Sequence, residues 1–327
     1  MERNYLIDNA KGLMIIFVVL GHFMESENGW EWKISHHIME GIYMIHMPAF
    51  IFLAGALFKR EKWLLRSVQI IFLYIIFQFL YSLYFVLDHT MDIQTALTKP
   101  YWLMWFLLSL ACFYIITGIF GISGIVLLSS LLIALVAGAA SISSYDFSWL
   151  RTLNFLPFFI AGALYKINAP LLRRLKLPSL WSAILSLIIT LYFSIDYRLW
   201  FGSYTFVDME YSFLQGVGLR LFATLSSFCL IISLLTLLRN KQGFLSDIGA
   251  RSLSVYLLHG FVVLVFAQAR PTLEDFMGQR GLLAFSIVIA LFVVLLITRS
   301  NAEWLIRKVL EFPVKSVPSP DRSHEHL

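Results

Sequence analysis

Hydrophobic residues fill the chain in long runs that short polar segments interrupt at intervals of roughly one helix length. A helix needs about 17 to 25 predominantly apolar residues to cross a bilayer. The pattern therefore predicts an all-α, polytopic membrane protein of about ten transmembrane helices. We place them at residues 8–26, 37–58, 64–87, 102–120, 122–140, 149–166, 180–196, 212–238, 251–269 and 281–300. Residues 1–315 form one transmembrane domain in this interpretation, and residues 316–327 form a polar, disordered tail.

Composition supports a location in the membrane. Hydrophobic residues make up 59% of the chain and charged residues only 14%, whereas a soluble domain carries about 25% charged residues. A water-soluble protein with this composition would expose large apolar patches, so the lipid bilayer is the first partner that we predict. Cys112 and Cys229 lie inside apolar runs and are expected to be buried thiols. No metal site is expected.

The charged residues are distributed unevenly between alternate loops. One set of loops is basic, with Lys59, Arg60, Lys62 and Arg66, then Lys166, Arg173, Arg174 and Lys176, then Arg239, Lys241 and Arg251, then Arg299, Arg307, Lys308 and Lys315. The other set holds Glu25, Glu27 and Glu31, then Asp88 and Asp92, then Asp146, then Asp196, Asp208 and Glu210, then Glu274 and Asp275. Loops rich in Lys and Arg stay in the cytoplasm. We therefore expect both termini in the cytoplasm of a cell (inner) membrane, and we attribute the net charge of +5 to topology rather than to nucleic acid.

Three histidines fall within the predicted spans: His22, His46 and His259. Ionisable groups in apolar helices are costly and are therefore candidates for function. Lys11 and His22 are about three helical turns apart, so they share one face at an axial separation of about 16 Å. Asp8, Ile15 and Val18 complete a stripe on this face, and the stripe is expected to face the protein interior or a cavity.

Each of these histidines also has a structural interpretation. His22 can simply bond another helix, as polar groups in membranes do, with Lys11 as an interfacial anchor. His46 lies two residues before Pro48, which can kink the helix and free a carbonyl group to line a cavity. For His22 and His46 both interpretations stay open. For His259 we favour a packing role.

Several segments resemble, in order along the chain, the acyltransferase-3 family of integral-membrane acyltransferases, and in particular its fucose-4-O-acetylase-like subgroup. They are IDNAKGLMIIFVVLGH, YMIHMPAFIFLAGALF, YWLMWFLLSL, RTLNFLPFFIAGALYK and RSLSVYLLHG. Lys11 and His22 match the family's basic residue, ten intervening residues and His, and Asp8 matches a frequent preceding acid. Two positions depart from the family pattern: Ala54 replaces a small hydroxyl residue, and KREKWLLR spaces Lys62 and Arg66 one residue further apart than the usual basic pair.

The resemblance implies transfer of an acyl group, usually acetyl, from cytoplasmic acetyl-CoA to a hydroxyl of a glycan or lipid-linked sugar. No bound cofactor is expected, and acyl-CoA enters as the donor substrate. His22 is then the candidate base for the sugar hydroxyl, with Lys11 or His46 stabilising the developing oxyanion and Asp8 holding Lys11 at the i, i+3 position. An acyl-histidine intermediate is the covalent alternative. Arg60, Lys62 and Arg66 are candidates for binding the donor phosphates, although topology alone also explains basic residues there.

The loop DYRLWFGSYTFVDMEY combines aromatic and acidic residues, which suits either a sugar-binding surface or an interfacial aromatic belt. Asp196, Trp200 and Glu210 of this loop, together with Arg151, are the candidate acceptor-binding residues. The alternative function is an exporter or flippase of polysaccharide or lipid-linked sugar. A transporter needs no His at a fixed spacing from a basic residue, and such proteins often contain repeats and paired broken helices; the sequence indicates neither of these features.

Overall fold

The computed structural model describes residues 4–87, 95, 98–140, 146–166, 169–193 and 195–315. Within these ranges the regular structure is helical, without strands. In chain order the α-helices are α1 Tyr5–Glu27, α2 Lys33–Ala56, α3 Trp63–Leu87, α4 Trp105–Phe120, α5 Gly124–Ala137, α6 Trp149–Tyr165, α7 Ala169–Phe193, α8 Arg198–Phe201, α9 Phe213–Leu237, α10 Phe244–Gly249, α11 Ser252–Arg299 and α12 Ala302–Lys315. The predicted tail, residues 316–327, lies outside the described residues.

The all-helical membrane class is confirmed, because eight of the described helices are long and apolar enough to cross a bilayer. Three predicted boundaries were wrong. The predicted span 122–140 is a helix of only 14 residues, Gly124–Ala137. The predicted span 180–196 starts at Ala169 and ends at Phe193, since the polar segment before it continues the helix. The exact count of ten stays a prediction.

The third wrong boundary is the loop expected between residues 269 and 281. Residues 252–277 and 279–299 instead form two helices that meet at a kink at Gly278, where φ is 64° and ψ is 178°, and we number them together as α11. The polar segment contains Glu, Gln and Arg, which are good helix formers, so the helix continues outside the apolar runs. Only glycine adopts such a backbone conformation readily, and the break therefore falls on Gly278.

The ends of α1 are set by local signals. The Asn4 side chain accepts hydrogen bonds from the backbone N–H groups of Leu6 and Ile7 and caps the start of the helix. At the other end the N–H groups of Asn28 and Gly29 both reach the carbonyl of Met24. Gly29 has a φ of 68°, which is the left-handed conformation that ends many helices.

Helices α1, α2 and α6 form the centre of the bundle. α1 packs chiefly against α11, α10 and α2, and α2 packs chiefly against α6. Side chains on α3 and α7 are exposed along apolar faces, for example Phe79 and Ile188, as expected for helices that contact lipid. The site described below lies among the central helices.

Two close helix crossings hold this centre together. A Cβ atom on Gly55 would lie 2.0 Å from the carbonyl oxygen of Phe159, and one on Gly162 would lie 2.0 Å from that of Phe52. Such reciprocal contacts allow α2 and α6 to approach to backbone contact, as small residues do in membrane bundles. Gly12 on α1 and Gly249 on α10 make the same kind of crossing.

Candidate active site

A cavity of about 260 Å³ contains His22 and His46, and we call it the histidine cavity. Its walls come from α1, α2, α6 and α11, from the turn before α4 and from the loop before α9. The lining residues are Val18, His22, Glu25, Trp30, Tyr43, His46, Met47, Pro100, Trp102, Leu103, Trp105, Arg151, Phe155, Tyr197, Trp200, Phe201, Tyr204 and Tyr256. Charged, aromatic and imidazole groups thus meet in one space between apolar helices.

His22 contacts two rings. The Trp102 ring packs against it at a tilt of 41°, with ring centroids 4.6 Å apart, and the His259 ring meets its edge in nearly the same plane, with centroids 5.2 Å apart. Nδ1 of His22 lies 2.9 Å from Nε2 of His259. Nδ1 of His259 in turn lies 2.9 Å from the carbonyl oxygen of Val255. These contacts fix the orientation of the His22 ring on the cavity wall.

His46 is oriented by its own helix. Its Nδ1 donates to the carbonyl oxygen of Ile42 at 2.8 Å, since a carbonyl can only accept, and the Tyr43 ring packs edge-on at 4.7 Å. Pro48 frees the carbonyl of Met44 from the helix ladder, as expected. That carbonyl accepts a 2.7 Å hydrogen bond from the Ser227 hydroxyl, so it joins α2 to α9.

Opposite charges face the same cavity. The Tyr43 hydroxyl donates to Oε2 of Glu25 at 2.7 Å, and Glu25 is one helical turn beyond His22. The Arg151 guanidinium lies over the Trp105 ring, 4.9 Å from its centroid. Nε of Arg151 donates to the carbonyl of Phe201 at 3.3 Å. A polar ligand in the histidine cavity would therefore meet both a carboxylate and a guanidinium.

The loop before α9 provides an aromatic wall. Tyr197 stacks on Trp30, with ring centroids 4.3 Å apart and planes 13° apart. The Arg198 guanidinium pairs with Asp196 at 2.7 Å, and its hydrogen bonds to that carboxylate raise the pKa of Arg198. Arg220, buried on α9, donates to the carbonyls of Leu199 at 3.0 Å and Tyr204 at 3.4 Å.

A second cavity, of about 200 Å³, adjoins the first. We call it the lysine cavity because Lys11 lines it. Val18, Met47 and Tyr256 line both cavities and so separate them. The other lining residues are Phe50, Leu53, Ala54, Leu57, Phe106, Tyr114, Ser252 and Leu253. Nζ of Lys11 lies 3.9 Å from Oδ1 of Asp8, so the predicted i, i+3 pair forms.

The predicted donor residues lie at the protein surface. Arg60, Lys62 and Arg66 are all exposed, and none lines the lysine cavity. Nη1 of Arg66 donates to Oε1 of Gln69 at 3.1 Å, and Leu57 of the cavity wall is three residues before Arg60. The exposed cluster therefore lies near this cavity without forming part of it.

The structure brings some of the predicted residues together and separates others. His22, His46, Arg151 and Trp200 line one cavity, whereas Lys11 lines the other. Neither Asp196 nor Glu210 lines either of these two cavities: Asp196 is paired with Arg198, and Glu210 is exposed in a left-handed backbone conformation, with φ 59°.

Sequence reasoning did not find three groups at the site. Glu25 was assigned to a loop, although its spacing of three residues from His22 places it on the same helical face. For Tyr43 and Trp30 the sequence showed only that the residues are aromatic, which did not distinguish them from the other aromatic residues of the chain. The structural role favoured for His259 agrees with its hydrogen bond to His22 on another helix, but the sequence did not indicate His22 as the partner. That contact joins residues 237 apart in sequence, and no local pattern could have indicated it.

The fold and the site together define a multi-pass membrane protein with imidazole, carboxylate and guanidinium groups in a cavity between its helices. The acyltransferase-3 family model, described as an acyltransferase domain, matches residues 4–299. The chain therefore belongs to this family and is a membrane acyltransferase. No curated protein and no solved structure matches the chain.

Proposed function

We propose that this acyltransferase moves an acetyl group from cytoplasmic acetyl-CoA to a hydroxyl of a cell-surface or lipid-linked sugar. The observation that carries the proposal is the pair of adjoining cavities along α1. Lys11 lines one cavity and His22 the other, and Val18, Met47 and Tyr256, which line both, form the wall between them. A donor on one side of the membrane can meet an acceptor from the other side at this wall.

The proposed topology has ten crossings and both termini in the cytoplasm. It counts α5 as a short crossing and the two parts of α11 separately, because the helices on either side of Gly278, residues 252–277 and 279–299, are each long enough to cross a hydrocarbon core of about 30 Å. The lysine cavity is lined by residues from the start of α1, the end of α2 and the start of α11, which lie at one end of the bundle. The basic loops adjoin these helix ends, so the positive-inside rule assigns this end to the cytoplasm.

The donor would bind from the cytoplasmic end. Its phosphates suit the exposed cluster of Arg60, Lys62 and Arg66, because guanidinium and ammonium groups bind phosphate through charge-assisted hydrogen bonds. The narrow chain of acetyl-CoA that ends in the thioester would enter the lysine cavity. The walls of this cavity are mostly apolar and include Leu53 and Phe106. The acyl group would then reach the wall shared with the histidine cavity.

The acceptor would bind in the histidine cavity. Sugars offer apolar ring faces to aromatic side chains and hydroxyl groups to charged ones. Trp30, Tyr197 and Trp200 supply aromatic surfaces, and Glu25 and Arg151 supply an acceptor and donors of hydrogen bonds. Aromatic surfaces together with a carboxylate and a guanidinium are expected in a site that holds one sugar hydroxyl next to a general base.

In the proposed reaction His22 acts as the general base. Its ring takes the proton of the sugar hydroxyl while the oxygen attacks the thioester carbonyl carbon. The C–S bond then breaks, the new ester forms, and the CoA sulfur takes the proton back from His22. Arg151 faces the same cavity and would stabilise the negative charge that develops on the carbonyl oxygen. An acyl-His22 intermediate is the covalent variant, and His46 is the alternative base.

The direct test is mass spectrometry of cell-surface glycans from cells with and without the protein. We expect a mass increment of one acetyl group that requires the protein and disappears in His22→Gln. His37→Gln is the matched control, because His37 lies near the same end of the bundle but lines neither cavity. Labelled acetyl-CoA added to vesicles with exposed cytoplasmic faces identifies the donor.

Three results would overturn the proposal or a part of it. In the first, the surface glycans carry no acetyl group, and cells that lack the protein have none of these glycans at their surface. This result would favour an exporter or flippase. An increment that matches a longer acyl chain would keep the acyltransferase but change the donor. An increment that persists in His22→Gln would remove His22 from the chemistry.

A further inference from the structure

His259 makes a chain of contacts that the proposed reaction leaves unused. Its ring is fully buried and lines neither cavity. One nitrogen faces the backbone carbonyl of Val255 on its own helix at 2.9 Å, and the other faces Nδ1 of His22 at 2.9 Å. A group enclosed in this way cannot touch an acceptor sugar, so any role in the reaction acts through His22.

The direction of both hydrogen bonds follows from the carbonyl at the end of the chain. A carbonyl oxygen can only accept, so Nδ1 of His259 carries a proton. In a neutral imidazole the other nitrogen then has a lone pair, and Nε2 of His259 accepts. Nδ1 of His22 must therefore be the donor. The remaining nitrogen of a neutral His22 ring, Nε2, is left unprotonated.

We propose that His259 is a positioning residue that holds His22 in the tautomer with a basic Nε2. The inference rests on the proposed role of His22 as base. The carbonyl of Val255, His259 and His22 form a relay in which a fixed acceptor orients one imidazole and that imidazole orients the next. Carboxylates orient catalytic histidines in the same way in hydrolases. Here a second imidazole does so without adding a negative charge to the apolar interior.

The site also needs a fixed tautomer for a geometric reason. The Trp102 ring packs against the His22 imidazole, with ring centroids 4.6 Å apart, and His259 bonds its edge, so both neighbours restrain the orientation of the ring. If Nε2 carried the proton, the lone pair would point at His259 instead of at a substrate. His46 has a similar arrangement, because its Nδ1 also donates to a backbone carbonyl. Both cavity histidines therefore keep Nδ1 engaged as a donor.

The test compares two substitutions of nearly equal shape. His259→Gln retains an oxygen where Nε2 stood, so it can still accept from Nδ1 of His22. His259→Met has a methyl group there and cannot accept. We expect kcat to fall at least about tenfold further in His259→Met than in His259→Gln, with KM for the acceptor and the binding of acetyl-CoA unchanged in both. Equal kcat values in the two variants would reduce His259 to a packing residue.

A readout independent of activity is the ¹⁵N NMR spectrum of the protein labelled at histidine, with the His22 signals assigned by their absence from His22→Gln. We expect a protonated Nδ1 and an unprotonated Nε2 in the wild-type protein, and a mixture of tautomers in His259→Met. A protonated Nε2 in the wild type would overturn the inference. If the wild type transfers no acetyl group, the proposed function fails, but the NMR result still decides the tautomer.

Discussion

Lys11 and His22 share one face of α1, yet they line different cavities, and Val18 between them lines both. The helix therefore connects the two proposed half-sites, one for the donor and one for the acceptor. If each residue serves its own cavity, a substitution at one should change a different kinetic constant from a substitution at the other. This separation makes the roles of individual residues measurable.

The first prediction concerns His22→Gln in purified protein. Glutamine keeps hydrogen bonding but cannot take up a proton at neutral pH. A general base contributes about 10²–10⁴-fold, so kcat should fall by about that factor. Binding of acetyl-CoA, measured by calorimetry, should persist because the proposed phosphate contacts lie at the other cavity.

His37→Gln is the control for this prediction, and it should retain wild-type kcat. Near-normal turnover in His22→Gln would make His22 a structural hydrogen-bonding group. The search for the base would then move to His46, which lines the same cavity.

The second prediction concerns the exposed cationic cluster. The double variant Arg60→Ala, Arg66→Ala should weaken the binding of acetyl-CoA by about tenfold or more, because it removes charge-assisted phosphate contacts. Added salt should weaken the wild type more than the variant. Binding titrations at two ionic strengths measure both the affinity for acetyl-CoA and its dependence on salt.

Arg174→Ala is the matched control for charge. Arg174 is also exposed and basic, but none of the described side chains of α7 lines either cavity. If Arg174→Ala weakened binding as much as the double variant did, the effect would be one of overall charge. Unchanged binding in the double variant would remove Arg60 and Arg66 from the donor site.

The sequence predicted the helical membrane class and the shared face of Lys11 and His22, because both depend on local periodicity. It did not predict where α11 continues, since the polar segment before Gly278 is compatible with either a loop or a helix. The His22–His259 contact and the position of Glu25 depend on how distant helices pack. Such contacts are set by close crossings like Gly55 with Gly162, which a single sequence does not reveal.

The third prediction tests one of these crossings. Gly55→Ala should reduce the free energy of unfolding by about 1–3 kcal/mol, because the new methyl group overlaps the backbone of α6 and forces the helices apart. Thermal denaturation in detergent measures the change. Gly41→Ala is the control in the same helix, since nothing lies within 4 Å of its Cβ position, and it should be neutral or stabilising.

If Gly55→Ala were as stable as Gly41→Ala, α2 and α6 would not meet at the distance described here. A third variant, Gly162→Ala, tests the reciprocal contact. It should be destabilised to a similar extent, because its methyl group would overlap the carbonyl of Phe52.

The fourth prediction concerns orientation in the membrane. Cys112 and Cys229 are replaced first, and single cysteines are then introduced at Val207 and Lys176, which are both exposed. A membrane-impermeant thiol reagent added to intact cells should label Val207→Cys and not Lys176→Cys, because the basic loop is cytoplasmic in the proposed topology. Labelling of Lys176→Cys in intact cells would reverse the orientation.

The last prediction concerns how the aromatic wall is held in place. Arg220 is buried on α9 and donates to the carbonyls of Leu199 and Tyr204, which flank Trp200 and Phe201. Arg220→Met keeps most of the side-chain volume but leaves both carbonyls without these donors. Each buried group that loses its hydrogen bond costs about 1–3 kcal/mol of stability. The loop should relax, so KM for the acceptor should rise at least about tenfold while the binding of acetyl-CoA stays unchanged.

Arg220→Lys separates charge from geometry in the same experiment. Lysine keeps the positive charge but lacks the planar fork that reaches two carbonyls at once, so it should recover only part of the acceptor affinity. Full recovery by Lys would mean that the charge alone matters and that the two hydrogen bonds do not position the loop. A fall in donor binding in either variant would indicate that α9 supports both cavities, and the aromatic wall would then not be a separate acceptor element.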